Sequence, residues 1–94
     1  MLFADKIRQL REDSKLLQRQ LAAALEIDTP MYSKIERGDR QAKRTQVVAI
    51  AKLLSTDESE LLTLWLADKV MEVLDGEKEL AGKALDIAIE KYLG

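Results

Sequence analysis

Apolar residues recur along this chain at intervals of three and four, the spacing of one helix face, and punctuating residues divide the pattern into six segments. The first runs from about Phe3 to Asp13, with Phe3, Ile7 and Leu10 on one face, Leu2 joining them, and Lys6, Arg8 and Glu12 on the wetter sides. The second runs from about Gln18 to Leu25, with Leu21, Ala22 and Leu25 as its inner stripe and alanines that let another helix approach closely. A break follows over Glu26-Ile27-Asp28-Thr29-Pro30. Asp28 and Thr29 are both N-cap types, and proline fits a first helical turn, where its missing N–H would be unpaired anyway. The third segment, Thr29 to Glu36, turns Ile35 inward and Tyr32 at least partly inward. Gly38 then marks a left-handed C-terminal stop.

After a polar connection from Asp39 to Arg44, the fourth segment starts at Thr45. Val47, Val48, Ile50, Ala51 and Leu54 give it a wide apolar face. Residues 55–60 hold two overlapping capping boxes, Ser55 with Glu58 and Asp57 with Glu60. The fifth segment, about Glu58 to Leu74, carries a stripe of Leu62, Leu66, Val70 and Val73, widened by Leu61, Leu64, Trp65, Met71 and Leu74. Asp75-Gly76 ends it. The sixth, about Glu77 to Leu93, sets Leu80, Ala84, Ile87 and Lys91 on one line and Ala81, Leu85, Ala88 and Tyr92 on the next. The fold expected is all-α: a compact five-helix bundle with a sixth, C-terminal helix. Four or five short helices build a sufficient core. The apolar surface left on the last two helices then calls for a partner, and the simplest is a second copy of the chain.

Composition narrows the chemistry. At 94 residues and 10.6 kDa there is room for one core. The chain has neither cysteine nor histidine, so disulfides, thiolate metal sites and histidine-based triads have nothing to build on. Carboxylate pairs such as Asp57 and Glu60 are caps, with no nucleophile, base or oxyanion donors beside them. No enzyme, metal or cofactor is expected. No apolar run approaches the ~20 residues that span a bilayer, and the start lacks the pattern of a signal peptide, so a cytoplasmic protein is expected.

The net charge of −2 argues at face value against a polyanionic partner. It conceals a gradient. Residues 1–56 hold eleven Lys/Arg against seven Asp/Glu, a balance of +4. Residues 57–94 hold four against ten, a balance of −6. One face can therefore bind a polyanion while the acidic helices lie elsewhere.

The informative stretch is Leu16 to Arg40, two short helices joined by a tight break. On Gln18, Leu21-Ala22, Ile27 and Ile35-Glu36-Arg37-Gly38, with Arg11 in the preceding helix, it resembles the helix-turn-helix of phage-repressor-type (Cro/CI, or Xre) transcription regulators. The resemblance covers roughly residues 3–66, and the short one-domain layout is similar to restriction–modification controller proteins. It implies a DNA-binding domain over 1–66 and a dimerising extension over 67–94, in one compact unit. The helix at 29–36 would enter a major groove about 12 Å wide. Base contacts would fall at Asp28, Thr29, Pro30, Ser33 and Lys34, with Gln18 on a phosphate and bracing the recognition helix. Arg37, Arg40, Lys43 and Arg44 follow as a basic cluster suited to phosphates. The family pairs Arg11 with Glu36 in a structural salt bridge. Dimer contacts would come from Leu62, Trp65, Leu66, Val70, Val73, Leu80 and Ile87.

Three positions depart from the family pattern. Leu17 stands where a Ser or Thr usually caps the second helix, at a cost of about 1 kcal/mol. Glu26 replaces the turn glycine and must either take a left-handed conformation or alter the bend. Asp28 brings an acid near the phosphates, where it caps the helix or accepts from a cytosine amino group. The expected function is a homodimeric, sequence-specific regulator on a palindromic operator in double-stranded DNA. The rival is an antitoxin or other interaction module whose C-terminal helices cover a partner protein; Asp28, Pro30 and the acidic pI favour it.

Overall fold

Six helices and no strand make up the computed structural model, which describes residues 1–94. They are α1 (Leu2–Asp13), α2 (Gln18–Ala24), α3 (Thr29–Glu36), α4 (Arg44–Leu53), α5 (Glu58–Val73) and α6 (Lys78–Leu93). All six segments predicted from apolar spacing are present, with ends within a residue or so of expectation.

The first four helices stop in the same way. After each, one residue takes the left-handed conformation: Lys15 (φ 58°), Glu26 (φ 57°), Gly38 (φ 80°) and Ser55 (φ 53°). At each stop two N–H groups turn back onto the last carbonyls. After α2, for example, Glu26 N–H donates to the Ala23 carbonyl at 3.1 Å and Ile27 N–H to the Ala22 carbonyl at 3.0 Å. This paired closure satisfies carbonyls that a helix end otherwise leaves open. Glycine is the residue suited to that conformation, yet three of the four stops use a residue with a Cβ. Glu26 thus keeps the tight turn and accepts the strain. Ser55 is occupied in ending α4, so the capping box expected between Ser55 and Glu58 does not form. Asp57 alone caps α5, accepting from Ser59 N–H at 3.1 Å.

The apolar core is drawn entirely from residues 3–61. Ile7, Leu21, Tyr32, Ile35, Val47, Ile50 and Leu61 are its largest fully buried side chains, and Phe3, Ala22, Ala42, Ala51 and Leu54 complete it. Within it α2 packs on α3 and α4, α1 on α3 and α5, and α4 on α5. Leu2 was expected on the inner face of α1 but is exposed, since it occupies the helix's first position.

Helix α5 turns a different edge inward from the one its apolar stripe suggests. Leu61 and Asp68 are buried, with Trp65 half-buried between them, while Leu66, Val70 and Val73 face solvent. The reason is Asp68. Its two carboxylate oxygens accept from Leu2 N–H and Phe3 N–H, each at 2.9 Å. A side chain 66 residues away thereby supplies the N-terminal cap that α1 lacks locally. Gln41 Nε2 adds a 3.3 Å bond from the α3–α4 loop to Glu72, and Lys6 lies 3.8 Å from Glu60.

Helix α6 buries no residue at all. It projects from the bundle and lengthens the molecule to 42 × 26 × 22 Å. No helix is long and apolar enough to cross a membrane.

Candidate nucleic-acid interface

Helix α3 has two edges with separate duties. Tyr32, Ile35 and Glu36 form the buried edge. Thr29, Pro30, Lys34 and Arg37 lie exposed on the other, with Ser33 and Met31 half-buried between. Asp28 sits at the N-cap, where its Oδ1 accepts from Met31 N–H at 2.7 Å. Of the two roles open to this acid, the structure assigns it the cap. Pro30 follows in the first turn, where no helical hydrogen bond is lost.

The buried edge is clamped to α1. Arg11 Nε and Nη2 donate to the two oxygens of Glu36, both at 2.8 Å, in a bidentate pair. The third arm of the guanidinium, Nη1, donates to the Leu16 carbonyl at 3.0 Å and so fixes the α1–α2 connection too. Gln18, opening α2, donates from Nε2 to Glu36 Oε1 at 3.3 Å. One carboxylate therefore gathers α1, α2 and α3. The Arg11 and Glu36 side chains are 13% and 2% exposed, so water screens the pair little.

The titration behaviour follows. Burial works to raise the Glu36 pKa, but the hydrogen bonds from Arg11, with a smaller contribution from Gln18, prevail and hold it below the ordinary carboxylate value. The Glu36 hydrogen bonds, opposed by desolvation, raise Arg11 further. Burial, then the adjacent Glu36 carboxylate, pushes the Tyr32 hydroxyl far above its usual range. Tyr32 was expected to be partly core and is wholly buried, and its hydroxyl lacks a hydrogen bond of good geometry.

The helices before and after α3 in the chain, α2 and α4, both begin with the same device. Neither N-cap residue, Leu17 nor Lys43, offers a side-chain acceptor. The third residue of each helix reaches back instead: Gln20 Oε1 accepts from Leu17 N–H at 2.7 Å, and Gln46 Oε1 from Lys43 N–H at 2.8 Å. Half of a capping box survives at each. The N–H groups of Arg44 and Thr45 in the first turn of α4 remain open, beside the exposed side chains of Lys43 and Arg44. A helix N-terminus in this state favours an anion. Arg40 is exposed in the loop before it, and Arg37 is paired at the surface with Asp39 at 3.1 Å.

Of the expected interface residues, then, Thr29, Pro30, Lys34, Arg37, Arg40, Lys43 and Arg44 are exposed. Ser33 is half-buried, Asp28 is engaged as a cap, and Gln18 braces the buried pair. Arg19, which sequence reading did not single out, is exposed beside Gln18, and sequence reading missed the capping roles of Gln20 and Gln46. The glutamine at the third helical position was the available signal for those two. Among the expected dimer residues, Leu66, Val70, Val73, Leu80 and Ile87 are exposed. Trp65 is committed to its own domain: Nε1 donates to the Ala42 carbonyl at 2.8 Å, and Lys69 Nζ lies 4.0 Å over the ring. Leu62 likewise packs against the core.

A family model described as a helix-turn-helix domain matches residues 2–64. That span starts with α1, ends within α5 and contains every residue of the apolar core. No curated protein and no solved structure matches the chain.

Proposed function

Since the chain belongs to the helix-turn-helix domain family, whose fold serves DNA-binding regulators, we propose that it is a sequence-specific transcriptional regulator of the phage-repressor (Cro/CI, Xre) type. It acts as a homodimer on double-stranded DNA, by binding and not by catalysis. Each subunit inserts α3 into the major groove, with Thr29, Pro30, Ser33 and Lys34 nearest the bases. Arg37, Arg40, Lys43, Arg44 and the open N-terminus of α4 meet phosphates on either side. Residues 1–66 read the DNA, and residues 67–94 hold the two subunits together. The operator is palindromic, its half-sites about one helical turn, ~34 Å, apart.

The observation that carries this reading is the division of α3. Its inner edge is locked by Arg11 and Glu36, and on its outer edge the side chains of Thr29, Ser33 and Lys34 make no hydrogen bond to the scaffold, Asp28 serving as the cap and Arg37 meeting only the surface Asp39. A helix so held presents its outer side chains in a fixed geometry before DNA arrives, which lowers the ordering cost of binding.

Selection of bound duplexes from a random pool tests the proposal. An enriched inverted repeat supports it; a pool without a consensus rejects sequence-specific binding. On the selected site, affinity should fall steeply with salt as cation–phosphate contacts release counterions. Lys34→Ala should weaken binding while leaving the helical circular dichroism intact. The exposed apolar surface of α6 also suits the antitoxin reading. A toxin gene beside the coding sequence supports that reading, and a methyltransferase or restriction gene supports a controller.

A further inference from the structure

The molecule exposes more surface than a compact chain of its mass needs. Its accessible area is 6720 Å², against about 5,500 Å² expected for a folded monomer of 10.6 kDa. Its radius of gyration is 15.1 Å, against about 12 Å for a compact domain of this length. The excess of roughly 1,200 Å² exceeds the ~800 Å² that each partner contributes to a standard interface. Helix α6, which buries no residue, contributes to it with Leu80 and Ile87 each 60% exposed, and the exposed Leu66, Val70 and Val73 of α5 add to it.

The pattern on α6 says what covers it. Leu80, Ala84 and Ile87 form a seam at helical spacing. On one flank lie Ala81 and Ala88, seven residues apart; on the other lie Lys83 and Glu90, also seven apart. We propose that α6 packs antiparallel against α6 of a second copy, with the two-fold axis crossing between Ala84 and Ile87. This rests on the homodimer of the preceding section and gives it a register.

In that register each Ala84 meets Ile87 of the other copy, small against large, twice over. Ala81 faces Ala88 across the axis, so the backbones approach closely on that flank. Lys83 faces Glu90 on the other flank, and symmetry makes two such pairs. A parallel arrangement has none of these matches: Ala84 would oppose Ala84 and leave a gap, and Lys83 would face Ala88 instead of Glu90. The face is thus self-complementary in shape and in charge only when the second helix runs the other way, as an isologous interface requires. Burial also explains how α6 persists, since a 16-residue helix without tertiary contacts is marginal in water.

Sedimentation equilibrium of the full chain without DNA reads the dimer directly. Lys83→Glu and Glu90→Lys should each weaken association about tenfold, because both symmetric pairs turn repulsive at once. The double variant, which restores opposite charges across the axis, should return close to the parent. Ile87→Glu should give a monomer that loses the α6 share of the helical signal and the concentration dependence of its midpoint, while the core of residues 3–61 still unfolds cooperatively, because no α6 residue lies in that core. As the chain has no cysteine, a variant carrying both Ala84→Cys and Ile87→Cys should oxidise to a disulfide-linked dimer. A chain monomeric at its highest soluble concentration overturns the proposal and leaves this face to a different protein. A dimer in which the two charge reversals are simply additive overturns the antiparallel register. Neither result touches DNA recognition, which gel shift on the selected duplex measures separately.

Discussion

Replacing Arg11 by methionine should cost this domain about half its stability. The substitution keeps much of the aliphatic stem but removes the bidentate pair at 2.8 Å and the 3.0 Å bond to the Leu16 carbonyl. Glu36 is left buried without its cation, 2% exposed, with only the 3.3 Å contact to Gln18 to compensate, so it must either carry an unpaired charge or take up a proton. Breaking one side of such a buried pair costs about 3–5 kcal/mol, against a total of roughly 5–15 kcal/mol for a small domain. At about 5 °C per kcal/mol for a domain of this size, the midpoint should fall by roughly 15–25 °C. Urea unfolding followed by far-UV circular dichroism measures it. The double variant Arg11→Met with Glu36→Leu should be more stable than Arg11→Met alone, because the stranded charge is gone. A loss below about 1 kcal/mol, the range of an exposed pair, would refute the reasoning, and so would strict additivity in the double variant. DNA preference, measured where Arg11→Met is still folded, should be unchanged, since Arg11 lies behind α3 and not on its outer edge.

Three further outcomes follow from the same geometry. Glu26→Gly should raise stability by about 0.5–1 kcal/mol in denaturant titration, by relieving a left-handed residue with a Cβ, less what glycine gains in the unfolded chain. Asp68→Ala should cost about 2 kcal/mol and fray the start of α1 in hydrogen exchange, because it strips the cap from two N–H groups. The Glu36 pKa is lower folded than unfolded, so its contribution is complete above the unfolded value of about 4.5. As pH falls through the folded value that contribution is lost. Stability of the parent should therefore drop more steeply on acidification than that of Glu36→Gln, and equal slopes in pH-dependent unfolding would count against the pair.

The helices were legible because their apolar residues keep the 3.6-residue period, and the inner edges of α2, α3 and α4 could be read directly from it. The orientation of α5 could not. Its stripe of Leu62, Leu66, Val70 and Val73 is the more apolar edge, whereas the edge packed inward ends on a carboxylate. A buried acid looks like an error in a sequence until the two N–H groups it caps, 65 and 66 residues away, come into view. The stops at Lys15, Glu26 and Ser55 were obscured for a related reason. Tertiary packing holds these residues in a conformation their own preferences disfavour, so local chemistry marks only Gly38. At the candidate interface, sequence located the cations and the Arg11–Glu36 pair. The capping glutamines were missed because the residues they serve, Leu17 and Lys43, are not N-cap types.

The two edges of α3 also bear on how such a protein diversifies. Selection for a folded chain acts on Tyr32, Ile35 and Glu36, while Thr29, Pro30 and Lys34 contribute little to the scaffold. Under the proposed mode of DNA binding, mutations at the outer positions can drift nearly neutrally with respect to folding and still alter the DNA address. Duplicated copies of the gene could therefore acquire separate targets in few steps, without first passing through an unfolded intermediate sequence.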